Sequence, residues 1–412
     1  MGAPQVYGAR AFKGLEGSGP VGRLHIDDMP VMGSFDNHSA DALVTDSAAA
    51  ATAFATGVRV KNRTLSLGEG GAPLPTILEQ AHAQGRSTGL VTTVSVSNAT
   101  PAAFGAHTRE RSEEFDVAAQ LADHQAVDVL MGAGRAFFLP TGTDDGRRTD
   151  GRNLREEMRT RGWAAVSTRD ALRALPASTR RLLGLFAPVD MAFDIDRTDR
   201  EPSLAEMTEA ALGCLSQNAK GFFLMVEGGK IDRACHANDL GTAVREVLAF
   251  DQAVAVALAY QARHPDTLVL VTADHETGGL TFPTHFEPRK LLLQRASVEA
   301  TLTALPPAAL DPTSEPFAKA VRERLGLDLD AALAARLAAA KPTPIGIAFA
   351  LTAALTERVQ AAISTHEHSA LPPLIWAKGP GQALFQGVYD ITGVYARMAA
   401  LLHVNAAVGA PR

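Results

Sequence analysis

Short apolar runs bounded by Gly, Pro or Asp alternate along this chain with longer helical stretches, and nothing else in the sequence restricts the fold as much. The runs fall at 89–96, 127–131, 222–226, 267–272 and 374–377, and the helical stretches include 76–84, 204–216 and 239–263. Strand followed by helix, repeated, predicts an α/β fold with a large, mostly parallel central sheet and helices on both faces. In such sheets ligands bind beyond the carboxyl ends of the strands, and most polar clusters here do follow strands. Two segments read as insertions into a single domain spanning 1–412. One, 144–200, is rich in Arg and Asp. The other, 283–363, is helical and Ala/Leu-rich with a Pro306-Pro307 break.

Charge and cysteine content then narrow the function. The 39 Lys and Arg against 45 Asp and Glu leave a formal charge of −6, without the basic excess of a nucleic-acid binder. Two cysteines, Cys214 and Cys235, exclude a disulfide framework and a thiolate-rich zinc module. No stretch reaches the roughly 18 apolar residues of a membrane span; the longest, 345–355, stops at Thr356-Glu357-Arg358. Met1 to Gly14 lacks a charged start followed by an apolar run, so it does not read as a signal peptide. Taken at face value, these features predict a soluble, cytoplasmic chain.

Five clusters carry chemistry. In Val44-Thr45-Asp46-Ser47, followed by Ala-rich sequence closed by Gly57, Asp46 or Ser47 starts a helix. A Ser there lies where backbone N–H groups and the helix dipole favour anions. Asp232 and His236, in Val226-Glu227-Gly-Gly-Lys-Ile-Asp232-Arg-Ala-Cys-His236, stand four apart and share one helix face. Asp274-His275, in Thr-Ala-Asp-His-Glu-Thr-Gly-Gly, follows a strand and suits an oxygen-plus-nitrogen metal site. Either His of Thr365-His366-Glu-His368 supplies a further nitrogen donor. Asn98-Ala-Thr100, with Arg111 following, adds an amide, a hydroxyl and a guanidinium.

Taken together and in this order, the motifs resemble the alkaline phosphatase family over nearly the whole chain. The resemblance implies hydrolysis of phosphate monoesters to an alcohol and inorganic phosphate, through a phosphoserine on Ser47. Two zinc ions and one magnesium ion would assist. Asp232, His236 and His368 would hold the first zinc, Asp274 and His275 the second, and Thr100 and Glu227 the magnesium. Arg111 would grip the phosphoryl oxygens and Asp46 would orient it. His368 is preferred over His366 because the family's ligand stands twelve residues before the Pro of an Ala-x-Gly-Pro stretch, here Pro380. His366 is expected at the surface or behind the ligands. The expected partners are small phosphate monoesters, with no nucleic-acid specificity; a homodimer and a periplasmic or secreted location belong to the same implication.

Three departures from the family pattern stand out. Asn98 occupies a position where relatives carry Asp or His, which leaves the identity of the third metal open. Arg233 follows a zinc ligand where relatives vary, and reads equally as a solvent-mediated phosphate contact or as an exposed Arg. The chain also opens on Met1-Gly2, which match the end of the family's Gly-Asp-Gly-Met-Gly motif. The first strand and its metal-bridging Asp are therefore expected upstream of a misassigned start, with a secretory signal before them. Three rivals remain: a sulfatase, poorly supported because Ser47 is followed by Ala48 to Ala51; a related phosphodiesterase; and a metal- or phosphate-binding protein inactivated by loss of that Asp.

Overall fold

The computed structural model describes residues 1–17, 19–340 and 343–404. The apolar runs become strands within about two residues of the expected limits. In chain order the strands are β1 (Val31–Asp36), β2 (Ser87–Ser95), β3 (Val129–Ala133), β4 (Ala164–Val166), β5 (Leu182–Leu185), β6 (Phe222–Glu227) and β7 (Val269–Thr272). Four two-residue strands follow, β8 (Glu276–Thr277), β9 (Leu280–Thr281), β10 (Ala362–Ile363) and β11 (His368–Ser369). Last come β12 (Leu374–Lys378) and β13 (Gly387–Asp390). One sheet runs β4-β5-β3-β2-β6 and is wholly parallel. The other runs β13-β1-β12-β7, with β12 antiparallel to both neighbours.

Alternation along the parallel strands explains why both sheet faces are covered. Leu90, Leu130 and Leu183 enter a core shared with the Ala-rich helix Ser47–Thr56. Their chain neighbours Val91, Val129, Met131 and Leu182 enter another, shared with helix Leu204–Leu215. Successive side chains of a strand point to opposite faces, so runs apolar at every position need helices on both sides. The α/β class follows directly from that pattern.

Segment 144–200, expected as an insertion, instead supplies β4 and β5, the two strands at one side of the parallel sheet. Their short apolar stretches were masked by the surrounding Arg and Asp. Within 283–363, Leu302, Phe317, Leu333 and Leu351 of several short helices pack into one core. Among the described residues, no helix is long and apolar enough to cross a membrane.

The two sheets meet across a channel. Among the described residues, β6 pairs only with β2 and β7 only with β12. Their other edges border a cavity of about 820 Å³, lined by Phe223, Met225, Val226, Leu268, Leu270 and Ile375 among others. It reaches from Lys220 and Asp266 at one end to Ser47, Asp232 and Asp274 at the other, and Met1 also lines it. Six residues of β6 make the channel's length that of one strand, roughly 20 Å. Extending the chain ahead of Met1 by six apolar, strand-forming residues is expected to raise the thermal midpoint by roughly 5 °C or more. It should also slow amide exchange along β6 and β7. Unchanged melting and exchange would mean that the channel does not take a strand.

Candidate active site

At the carboxyl end of β6, Asp46 and Ser47 open the helix Ser47–Thr56. Of the two candidate caps it is Asp46, in extended backbone, whose carboxylate accepts the Ala49 N–H at 3.0 Å. Ser47 is therefore the first helical residue, and its hydroxyl is not spent on capping. Ala48 to Ala51 are buried, and their small side chains let the helix lie close beneath the site. Gly57 ends it at φ +73°, where a Cβ would come within 2.5 Å of the Tyr395 ring. The Ser47 hydroxyl, 8% exposed, donates to His275 Nε2 at 3.0 Å. Arg111 Nη1 lies 3.1 Å from the second Asp46 oxygen and Nη2 lies 3.4 Å from Asn98 Oδ1. One aspartate thus caps the helix and aims the guanidinium.

Around Ser47 the strand-end motifs converge. Asp232, His275 and His368 each offer a ligand atom, all within 4.8 Å of one another. His236 Nε2 is 3.2 Å from His368 Nε2 and 3.3 Å from Asp232 Oδ2, and Asp274 Oδ2 is 3.1 Å from His275 Nε2. The His275 and His368 rings stack with centroids 3.5 Å apart.

The remaining hydrogen bonds settle where the ring protons sit. His236 Nδ1 faces the His366 carbonyl at 2.5 Å and His368 Nδ1 faces the Thr45 carbonyl at 3.0 Å. A carbonyl only accepts, so both Nδ1 atoms carry hydrogen, and in the neutral rings both Nε2 atoms present lone pairs. Thr277 gives its own hydroxyl proton to Asp232 at 2.6 Å and so accepts from His275 Nδ1 at 3.2 Å. In their neutral forms all three imidazoles turn Nε2 lone pairs toward two carboxylates. Ring protons or a metal ion would relieve the repulsion within such a set, and imidazole nitrogen with carboxylate oxygen suits zinc.

Electrostatics agree. Burial works against the charged form of Asp232, yet the His236 hydrogen bond and the surrounding imidazoles hold its carboxyl well below the usual range. Burial is likewise outweighed at Asp274, by the charge and hydrogen bond of His275. Despite burial, His236 and His275 are raised by their carboxylate partners, the same field that attracts a metal ion. His368 goes the other way, lowered by burial and by His275.

A third group lies beside this cluster. Burial pushes Glu227 up to about 7, against hydrogen bonds from Thr92 and Thr100. Thr92 Oγ1 stands 2.5 Å from its carboxylate. Arg233, at the rim, pairs with Asp190 at 3.2 Å. Every candidate named from the sequence lies within this one region. Residues not anticipated are Thr277, Thr92, the Thr45 and His366 carbonyls, and Asn37, whose Nδ2 donates to the Asp274 carbonyl at 2.7 Å. Thr277 and Thr45 had a signal in lying inside two of the motifs, and His366 in standing beside His368.

Comparison with known proteins supplies the family. The model for alkaline phosphatase matches residues 1–404. Alkaline phosphatase 4 of Bacillus subtilis (strain 168) is 33% identical over 414 aligned residues, covering 95% of this chain and 84% of that protein. Among solved structures, the cold-active alkaline phosphatase of the psychrophile Shewanella sp. superposes with a TM-score of 0.87 at 31% identity, covering 98% of this chain and 97% of the other. The Thermus thermophilus alkaline phosphatase superposes at 0.89 and 30% identity, over 98% and 89%. The chain belongs to the alkaline phosphatase family. It is accordingly a hydrolase of phosphate monoesters.

Proposed function

We propose that this chain hydrolyses phosphate monoesters through a covalent phosphoserine on Ser47, with two zinc ions and one magnesium ion bound. The observation that carries the reading is the Ser47 hydroxyl at a helix start, flanked by Arg111 and facing imidazole and carboxylate groups placed as metal ligands would be. Asp232, His236 and His368 would hold one zinc, Asp274 and His275 the other, and Thr100 and Glu227 the magnesium. When bound, these ions would lower the pKa of the attacking oxygen and offset charge on the leaving one.

The chain's own groups do the rest. Arg111 receives two phosphoryl oxygens, and Asp46 keeps its guanidinium aimed. Helix N–H groups draw the anion toward Ser47. As the Ser47 Oγ–phosphorus bond forms, the phosphorus–oxygen bond to the alcohol breaks. The proton lost by Ser47 balances the one taken up by the departing alkoxide. Water then displaces Ser47 from phosphorus, giving inorganic phosphate and restoring the hydroxyl, and two in-line steps leave configuration at phosphorus retained. Asn98 braces Arg111 without adding charge, so the third metal is the least determined of the three. A periplasmic or secreted location and a homodimer belong to the same reading.

The test is turnover of a simple aryl phosphate at alkaline pH, before and after chelation. Activity should vanish on chelation and return with zinc plus magnesium, with about two zinc per chain by metal analysis. Zinc uptake without turnover would favour the inactive binding protein, and preference for a bis-aryl phosphate would favour the diesterase.

A further inference from the structure

Behind the metal-facing groups, His236 and His366 hold each other by two hydrogen bonds. His236 Nδ1 donates to the His366 carbonyl at 2.5 Å, and His366 Nδ1 donates to the His236 carbonyl at 2.9 Å. The first of these fixes the tautomer that leaves His236 Nε2 free to meet a metal. The loop carrying His366 is tied down on one side by backbone bonds to Gly278, whose carbonyl accepts from Ser364 and Thr365 at 3.0 and 3.2 Å. Gly278 also donates to the Glu367 carbonyl at 3.0 Å. On another side the His366 ring is covered by Phe349, stacked at 3.9 Å between centroids and 28° between planes.

Phe349 comes from the helix Pro344–Arg358, within the 283–363 insertion, and is itself 39% exposed. Its helix neighbours Ile347, Leu351 and Leu355 are buried in the insertion's own core, so the ring stands on a firm base. A half-exposed Phe adds little to that core. Its position against His366 matters more.

We propose that Phe349 is a positioning residue for the metal site at His236, acting through the ring of His366, so that the helical insertion sets how tightly that site holds its ion. The stack removes rotamer freedom from His366 and keeps its ring proton on the His236 carbonyl. The His366 carbonyl then stays within reach of His236 Nδ1. Groups that orient a metal-ligating His in this way are worth about 10- to 100-fold in metal affinity. The inference rests on the metal reading of the site given above.

The experiment is zinc binding by chelator competition on the full chain, together with the visible absorption of the cobalt(II)-substituted protein and its thermal midpoint. Three proteins are compared: wild type, Phe349→Ala and Phe349→Tyr. Phe349→Ala should weaken one zinc equivalent about tenfold and shift one cobalt band. The other equivalent and the thermal midpoint should stay near wild type, and Phe349→Tyr, which can stack, should restore both signals. Equal binding by wild type and Phe349→Ala overturns the inference alone. So does equal weakening of both equivalents with a lowered midpoint, because that marks general loosening. A wild-type chain that takes up no zinc overturns the metal reading itself and this inference with it.

Discussion

Ser47→Ala yields a protein that folds and binds zinc but forms no acid-trapped phosphoenzyme, with turnover lower by on the order of 10³-fold or more. The fold should survive because the helix is capped by Asp46, not by Ser47, and Ala is the best helix former at the position that follows. Metal should stay because the imidazoles and carboxylates that face it are untouched; only the hydroxyl on His275 Nε2 is lost. Residual hydrolysis would come from water attacking a phosphoryl group still held by Arg111. Labelled phosphate quenched at acid pH, followed by peptide mapping, checks the assignment. Label on another residue, or near-normal turnover by the Ala variant, would show that Ser47 is not the nucleophile.

His368→Ala and His366→Ala separate two neighbours with different tasks. His368 turns Nε2 into the cluster, 3.2 Å from His236 Nε2, while Thr45 holds its other nitrogen. Removing it deletes a donor and also the ring stacked on His275. Zinc content should fall by about one equivalent per chain, and activity should be lost even with zinc in excess. His366 reaches the site through its backbone carbonyl, which Ala retains, so His366→Ala should lose affinity but refill when zinc is added. Metal analysis with and without added zinc distinguishes the two, and the reverse ranking would mean that the strand β11 carries the wrong His into the site.

Much of the site was legible because its residues come in local motifs at strand ends. Asp232 and His236 share a face simply by lying four apart on one helical turn. Asp274 and His275 follow β7 directly. The choice of His368 over His366 needed the resemblance to a family, since both His fit a donor role by type. β1, β4, β5, β13 and the two-residue strands β8 to β11 were not anticipated. β4 and β5 sit in charged surroundings, and β1, with Gly33 and Ser34, has a weak apolar signal.

The sequence alone determined the α/β class, a helix opening at Asp46 or Ser47 and the donor types that meet beside it, because each depends on spacing over a few residues. Tertiary structure alone decided the rest. Thr45 orients His368 across 323 residues of chain, and Thr277 links Asp232 to His275. The channel between β6 and β7 likewise exists only once two sheets have formed. A backbone carbonyl has no sequence signature, since every residue has one. Which carbonyl meets which imidazole is set by the packing of distant elements, and no local pattern encodes that.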